Sequence, residues 1–205
     1  ITGITATLGD GADTFVGTGG ADNITASLGA DTITAGSGDD VITITEATGS
    51  KSVDNLIFST VAANGNDVIT GFTAAANGDT IDVQNLGGTG TANDVAANAA
   101  IQNVTDNDAY IFADGDDGTG ADAAATQIAD YTDLTDVAAF LEAGLTAAAS
   151  DAYVAVINDL VTDKAYVYSA VDTGDGTIAA AEVTLHGTIT MDTADTVLVA
   201  ANVVV

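Results

Sequence analysis

From Leu8 to Thr43 the chain reads LGDGADTFV, GTGGADNIT, ASLGADTIT and AGSGDDVIT, four units of nine without insertion or deletion. Gly11, Gly20, Gly29 and Gly38 occupy the fourth position of each unit, and Asp13, Asp22, Asp31 and Asp40 the sixth. Phe15, Ile24, Ile33 and Ile42 occupy the eighth. Three columns held in phase through every unit exceed what composition produces, even in a chain rich in Gly, Asp and Thr. A unit this short cannot form a helical hairpin, but it accommodates a Gly-containing turn and a strand of about three residues.

Each strand of this kind points one apolar side chain inward while its neighbours, such as Thr14 and Val16, point out. Two units make one coil of a flattened parallel solenoid, so the first stacks on the third and the second on the fourth. A coil buries its Phe or Ile only against the next coil, as in other repeat arrays. Asp13 then lies over Asp31, and Asp22 over Asp40. Stacked carboxylates repel unless a cation lies between them, and Gly-rich turns aim backbone carbonyls into the same gap. A flexible cage of hard oxygen ligands suits calcium better than magnesium, which requires a tighter octahedron and keeps its waters. A Gly/Asp-rich linker is the competing reading, and the inward apolar column argues against it.

The four units resemble the RTX (repeats-in-toxin) nonapeptide G-G-x-G-x-D-x-U-x, whose family forms a calcium-binding parallel β-roll. The first Gly of the pattern is Leu8, Ala26 or Ala35 in three units, and the second is Thr18 or Ser27 in two, while every Gly-x-Asp is intact. The expected calcium ligands are Gly9, Gly11, Asp13, Gly20, Asp22, Gly29, Asp31, Gly36, Gly38 and Asp40. At least two ions are expected, one between the units of Asp13 and Asp31 and one between those of Asp22 and Asp40. The resemblance also implies bacterial export through a type I secretion machinery to the cell surface or the extracellular medium.

The whole chain of 205 residues carries 30 acidic and two basic residues, Lys51 and Lys164, for a formal charge of −28. Such a charge opposes compaction and excludes nucleic acid or an anionic membrane as a partner. Hydrophobic residues make up 47%, which argues against disorder. Cys is absent, so cations rather than disulfides would do the stapling. The first residues, Ile1-Thr2-Gly3, show no secretory signal, and the longest apolar stretch is too short to span a membrane. A soluble protein without membrane insertion is expected.

The expected fold is all-β: a short parallel β-roll, then a mostly antiparallel sheet region with one short helix. Residues 1–50 form the roll in this reading, and residues 51–205 a C-terminal β-rich domain. Within the latter, residues 64–83 resemble the D-x-I-x-x-F…G-x-D-x-I-D-L segment that closes the roll in many RTX proteins. Asp67, Ile69, Phe72, Asp79, Ile81 and Asp82 match it, and Asp67, Asp79 and Asp82 are additional candidate ligands. The segment reads as two short strands joined by an Asn-Gly turn. Leu86 to Ala109 reads as loop with a short helix, and Ala109–Ala113 as a buried strand. Asp114 and Asp116 lie in an acidic Gly-rich loop that is either another calcium site or plain solvated loop. Thr135 reads as the N-cap of a helix over 136–143 ended by Gly144. Tyr153–Ile157 and Ala165–Tyr168 read as a hairpin. Asp172 and Asp175, with Glu182 further on, fit either a calcium loop or an acidic turn. Glu182–Met191 and Thr196–Val205 read as the last two strands.

No catalytic constellation is visible. His186 stands alone in a β-run, Cys is absent, and neither H-E-x-x-H nor G-x-S-x-G occurs. The expectation is a non-enzyme. Two functions fit it. One is the building block of a calcium-dependent extracellular assembly (surface layer, filament or matrix) that self-associates. The other is the C-terminal secretion and folding module of an exoenzyme or toxin.

Overall fold

The nonapeptides wind as their columns require. The computed structural model describes residues 2–46, 51–74, 78–95, 102–103, 105–114, 128–146, 150–192 and 197–205. Its first strands are β1 (Thr5–Thr7), β2 (Thr14–Val16), β3 (Asn23–Ala26), β4 (Thr32–Thr34) and β5 (Val41–Ile44). β1 pairs with β3 and β3 with β5, while β2 pairs with β4, all in parallel. Phe15 thus faces Ile33, and Ile24 faces Ile42. Ile24, Ile33 and Ile42 are buried between the two walls, whereas Val16 points out and is exposed.

The winding runs on past the repeats through β6 (Asn55–Ile57), β7 (Asp67–Phe72) and β8 (Thr80–Asp82). β6 and β8 extend the β2–β4 wall, and β7 extends the other. The expectation of two neighbouring strands joined by a turn over 64–83 is therefore corrected: β7 and β8 lie in opposite walls. Each carries an Asp-x-Ile, and Ile69 and Ile81 enter one interior from its two sides. Residues 75–77, including Asn77 of the expected turn, lie outside the described set.

The remaining strands are β9 (Ala92–Val95), β10 (Gln102–Asn103), β11 (Ala109–Asp114), β12 (Leu145–Thr146), β13 (Ala152–Asp159), β14 (Lys164–Val171), β15 (Val183–Met191) and β16 (Val203–Val204). They fuse the roll to a mixed sheet. One wall becomes a nine-stranded sheet of order β1-β3-β5-β7-β15-β14-β13-β11-β9, and the other a five-stranded sheet of order β16-β8-β6-β4-β2. Only β13–β14 and β14–β15 are antiparallel within the long sheet. The apolar columns of the repeats pass directly into this region, since Ile69 faces Ile189 and Ile81 faces Val203.

Strand alternation then makes two cores. Val154, Val156, Ala165 and Val167 face the roll interior, and Tyr153, Ala155, Ile157, Tyr166 and Tyr168 face the opposite side. That second face is covered by α1 (Leu134–Gly144), which buries Val137, Ala138 and Leu141. The helix is capped by Asp133 rather than Thr135, because the Asp133 carboxylate accepts the Thr135 N–H at 2.9 Å and leaves Thr135 inside the first turn. The stretch read as loop after Leu86 contains β9 and β10, and its helical turn comes earlier, over Gln84–Leu86. The last expected strand is also shorter. Asn202 caps a 3₁₀ turn over Ala200–Asn202, leaving only Val203–Val204 to pair with β8. No helix among the described residues is long and apolar enough to cross a membrane.

Candidate metal centre

From β2 to β8, an Asp stands two residues ahead of the inward apolar residue of each strand; in β1 that place is taken by Ile4. Stacking makes two ladders of these carboxylates, one along each edge. On the first edge, leading into the five-stranded sheet, the Asp13 N–H donates to Asp31 Oδ1 at 2.9 Å, Asp31 to Asp54 Oδ1 at 2.8 Å, and Asp54 to Asp79 Oδ1 at 2.9 Å. On the second edge the Ile4 N–H donates to Asp22 Oδ1 at 2.7 Å, Asp22 to Asp40 Oδ1 at 2.7 Å, and Asp40 to Asp67 Oδ1 at 3.1 Å. One oxygen of Asp22, Asp31, Asp40, Asp54, Asp67 and Asp79 therefore serves the backbone of the coil before it. The expected stacking of Asp13 with Asp31 and of Asp22 with Asp40 is present.

The other oxygen distinguishes the edges. On the first, Oδ2 of Asp13, Asp31 and Asp54 is buried without a hydrogen-bond partner, and only at Asp79 is it taken, by the Thr73 N–H at 2.7 Å. On the second, Asp22 Oδ2 accepts the Thr18 N–H at 2.6 Å, and Asp67 Oδ2 accepts from Asn64 Nδ2 at 3.0 Å. Asp40 alone keeps a free Oδ2 there. A buried anionic oxygen without a donor is costly unless a cation meets it.

The acid strengths follow burial more closely than they follow the edges, since Asp67 and Asp79 are raised although their Oδ2 atoms have donors. Burial pushes Asp31 and Asp40 above the usual carboxylate range against one backbone N–H each, and neighbouring carboxylates add to it. Burial carries Asp54 up to about 7, opposed by the Asp31 N–H and reinforced by the charges of Asp79, Asp31 and Glu46. Asp67 is likewise raised to about 7, chiefly by burial. Asp22 goes the other way. Burial would raise it, but the N–H groups of Thr18 and Ile4 and the Thr18 hydroxyl together outweigh burial and hold it low.

The turns that carry the ladders depend on glycine where coils touch. Gly29 and Gly36 have φ of 122° and 112°, and a Cβ on either would collide with the backbone of the coil below, at Gly11 and Thr18 respectively. Gly38 has φ of 110° and likewise packs on Gly20. Gly9 and Gly11 lie in the outermost turn and face open space. The Gly20 N–H donates to the Thr18 hydroxyl at 3.3 Å.

The further candidates divide. Asp67 and Asp79 continue the ladders, whereas Asp82 stands apart and accepts the Gln84 N–H at 3.0 Å. Asp172 uses Oδ1 to hold the N–H groups of Gly174 and Asp175, while its buried Oδ2 has no partner. Asp175 is exposed and accepts from Thr177. Asp116 and the side chain of Asp114 lie outside the described residues. His186 is fully buried, with Nε2 2.9 Å from Ser169 Oγ, and burial lowers its pKa to about 4. Sequence reasoning missed Asp54 and Glu46. Asp54-x-Leu56 repeats the Asp-x-apolar signal of the other coils, but it lacks the Gly-x-Asp that made the rest visible.

No three His, Asp or Glu side chains converge on one point among the described residues. An ion in the roll must complete its shell with backbone carbonyls or water, which is the ligand set of a hard cation. A family model for the RTX calcium-binding nonapeptide repeat matches residues 7–42, in four copies. The segment is an RTX repeat array. RTX nonapeptide repeats bind calcium, and the donorless Oδ2 atoms of Asp13, Asp31 and Asp40 fit that cation. No curated protein and no solved structure matches the chain.

Proposed function

We propose that this chain is a secreted bacterial structural protein of the cell surface or extracellular matrix, without catalytic activity. Its RTX roll folds on meeting calcium and then joins further copies of the same chain in a layer or filament. The observation that carries the calcium step is the row of buried carboxylate oxygens without donors along the first edge. Four acidic groups stacked in one column favour the unfolded chain until a cation offsets their repulsion, so binding energy becomes folding energy. Weak sites of about 10⁻⁴–10⁻³ M stay empty at cytosolic calcium and fill outside the cell. The repeat family supports export of the loose chain by a type I secretion machinery.

The assembly step is supported by the outermost coil. Among the described residues β1 pairs only with β3 and β2 only with β4, leaving both outer edges open to an added strand. Calcium would also weaken the repulsion between subunits of charge −28. Light scattering on calcium addition tests this, with a variant lacking residues 2–7 as the control. Growth in wild type and its loss in the truncation is the expected result. A protein that stays monomeric at high concentration in millimolar calcium removes the building block and leaves the secretion and folding module.

A further inference from the structure

The third turn of the first edge departs from the repeat. Between β5 and β6 the chain has no Gly-x-Asp, and the matched repeats end at residue 42. Yet the ladder continues through it, because Asp54 accepts the Asp31 N–H and donates its own to Asp79. Asp54 is fully buried, and its Oδ2 has no partner. Glu46, at the start of the same turn, accepts the Ser52 N–H with Oε2 at 3.1 Å, while its Oε1 is buried and equally without a partner. The two carboxylates are close enough for the Glu46 charge to act on both Asp54 and Asp79. Lys51, the lysine of this turn, pairs its ammonium with Asp192, and its charge reaches Asp79 but is not among the influences on Asp54.

We propose that Glu46 and Asp54 hold a further divalent cation of calcium size, at a site that is not a nonapeptide site. In the repeats a Gly-rich turn offers backbone carbonyls. Here a second carboxylate takes over that part, placed by the Ser52 N–H. Two buried anionic oxygens without donors, one from each end of the turn, demand positive charge. The loose geometry of a side chain from each end of the turn suits calcium rather than the strict octahedron of magnesium. The ion would bind the repeat array to the coils that follow it, at the one turn where the sequence pattern breaks. This inference rests on the calcium reading of the roll and adds one ion to it.

The test counts ions on the chelator-stripped 205-residue chain by equilibrium dialysis against calcium, with circular dichroism at saturation as the folding control. Glu46→Gln keeps an acceptor for Ser52, and Asp54→Asn keeps one for Asp31, so neither removes a backbone contact. Each is expected to bind one ion fewer than wild type, and the double variant no fewer than either alone. Asp13→Asn, in the repeats, is expected to remove a different ion, so that combined with Glu46→Gln it removes two. Wild type that takes up no calcium overturns the reading of the whole roll. Wild type that binds, with Glu46→Gln retaining every ion, overturns this site alone, whatever Asp54→Asn does.

Discussion

The two edges of the roll share a period, a backbone and a column of aspartates, yet they satisfy charge to different degrees. Three free Oδ2 atoms lie on the first, and Asp40 alone keeps one on the second. The second edge satisfies Asp22 and Asp67 from within, through Thr18 and Asn64. The first edge leaves Asp13, Asp31 and Asp54 each with an oxygen that no protein group meets. An identical ladder position can therefore be a finished hydrogen-bond network or keep a buried oxygen without a donor. What decides is the residue four positions upstream, or a side chain reaching over from the longer turn.

The largest effect expected from this difference is on folding without metal. Chelation at low salt and neutral pH should abolish the β-signal of the repeats by circular dichroism. Calcium should restore it where equal magnesium does not. Full β-structure in the chelated protein would mean that the first edge needs no cation.

Next in size are the inter-coil glycines, at which the edges should behave alike. Gly29→Val on the first edge and Gly36→Val on the second each force a β-branched residue into positive φ against backbone, at a cost of at least about 1–3 kcal/mol. Chemical denaturation in saturating calcium measures both. A large loss at only one would show that the coils are less tightly stacked on the other edge.

The carboxylates should separate the edges. Asp31→Asn removes a charge whose partner is the ion, and should raise the calcium needed for folding by roughly tenfold or more. Asp22→Asn removes a charge that the protein already satisfies, so it should weaken the roll at saturating calcium while changing the calcium midpoint little. Equal midpoint shifts in a calcium titration would erase the distinction.

The pH dependence sharpens the same point in the metal-free protein. Asp54 and Asp67 rise from an ordinary 3.8 to about 7 in the fold, so the folded state holds protons that the unfolded chain has released. Their contribution to stability is complete below about 4 and is lost as pH rises through about 7. Buried His186, lowered from 6.5 to about 4, opposes this. Its stabilising contribution is present above 6.5 and is lost as pH falls through about 4. The β-signal of chelated protein should thus recover on acidification from pH 8 to pH 6, read by circular dichroism, and Asp54→Asn should flatten that trend. Added calcium should flatten it as well, by replacing the protons.

The smallest expected change is also the most pointed. Thr18→Gly restores the repeat consensus and removes the hydroxyl that donates to Asp22 Oδ1 at 2.9 Å. It should move the second edge toward the first, with tighter calcium uptake and lower metal-free stability. Unchanged uptake would mean that the backbone N–H of residue 18 alone closes that site.

Much of the roll was legible because its information is periodic. A Gly, an Asp and an apolar residue at fixed spacing dictate the turn, the ladder and the buried column, and Phe15 over Ile33 follows from counting. The readings that changed lie where local pattern is weak and partners are distant. Residues 64–83 look like a local strand pair until Ile69 and Ile81 are seen entering one interior from opposite walls. The terminal apolar run looks like a strand until Asn202 turns it. Asp54 was passed over because its turn lacks the Gly-x-Asp spacing, though its position two residues ahead of Leu56 marked it.

The sequence by itself determined the repeat, the two carboxylate columns, the apolar interior and the cation chemistry they call for. Those are properties of spacing, and spacing is preserved when a chain is coiled. Only the tertiary structure decided which carboxylate oxygens are free. That depends on which donor lies across a coil, such as Thr18 beside Asp22, and on which carboxylate a longer turn folds back, such as Glu46 beside Asp54. Burial then multiplies the difference, because in a dry interior an oxygen with one donor and an oxygen with none are electrostatically far apart.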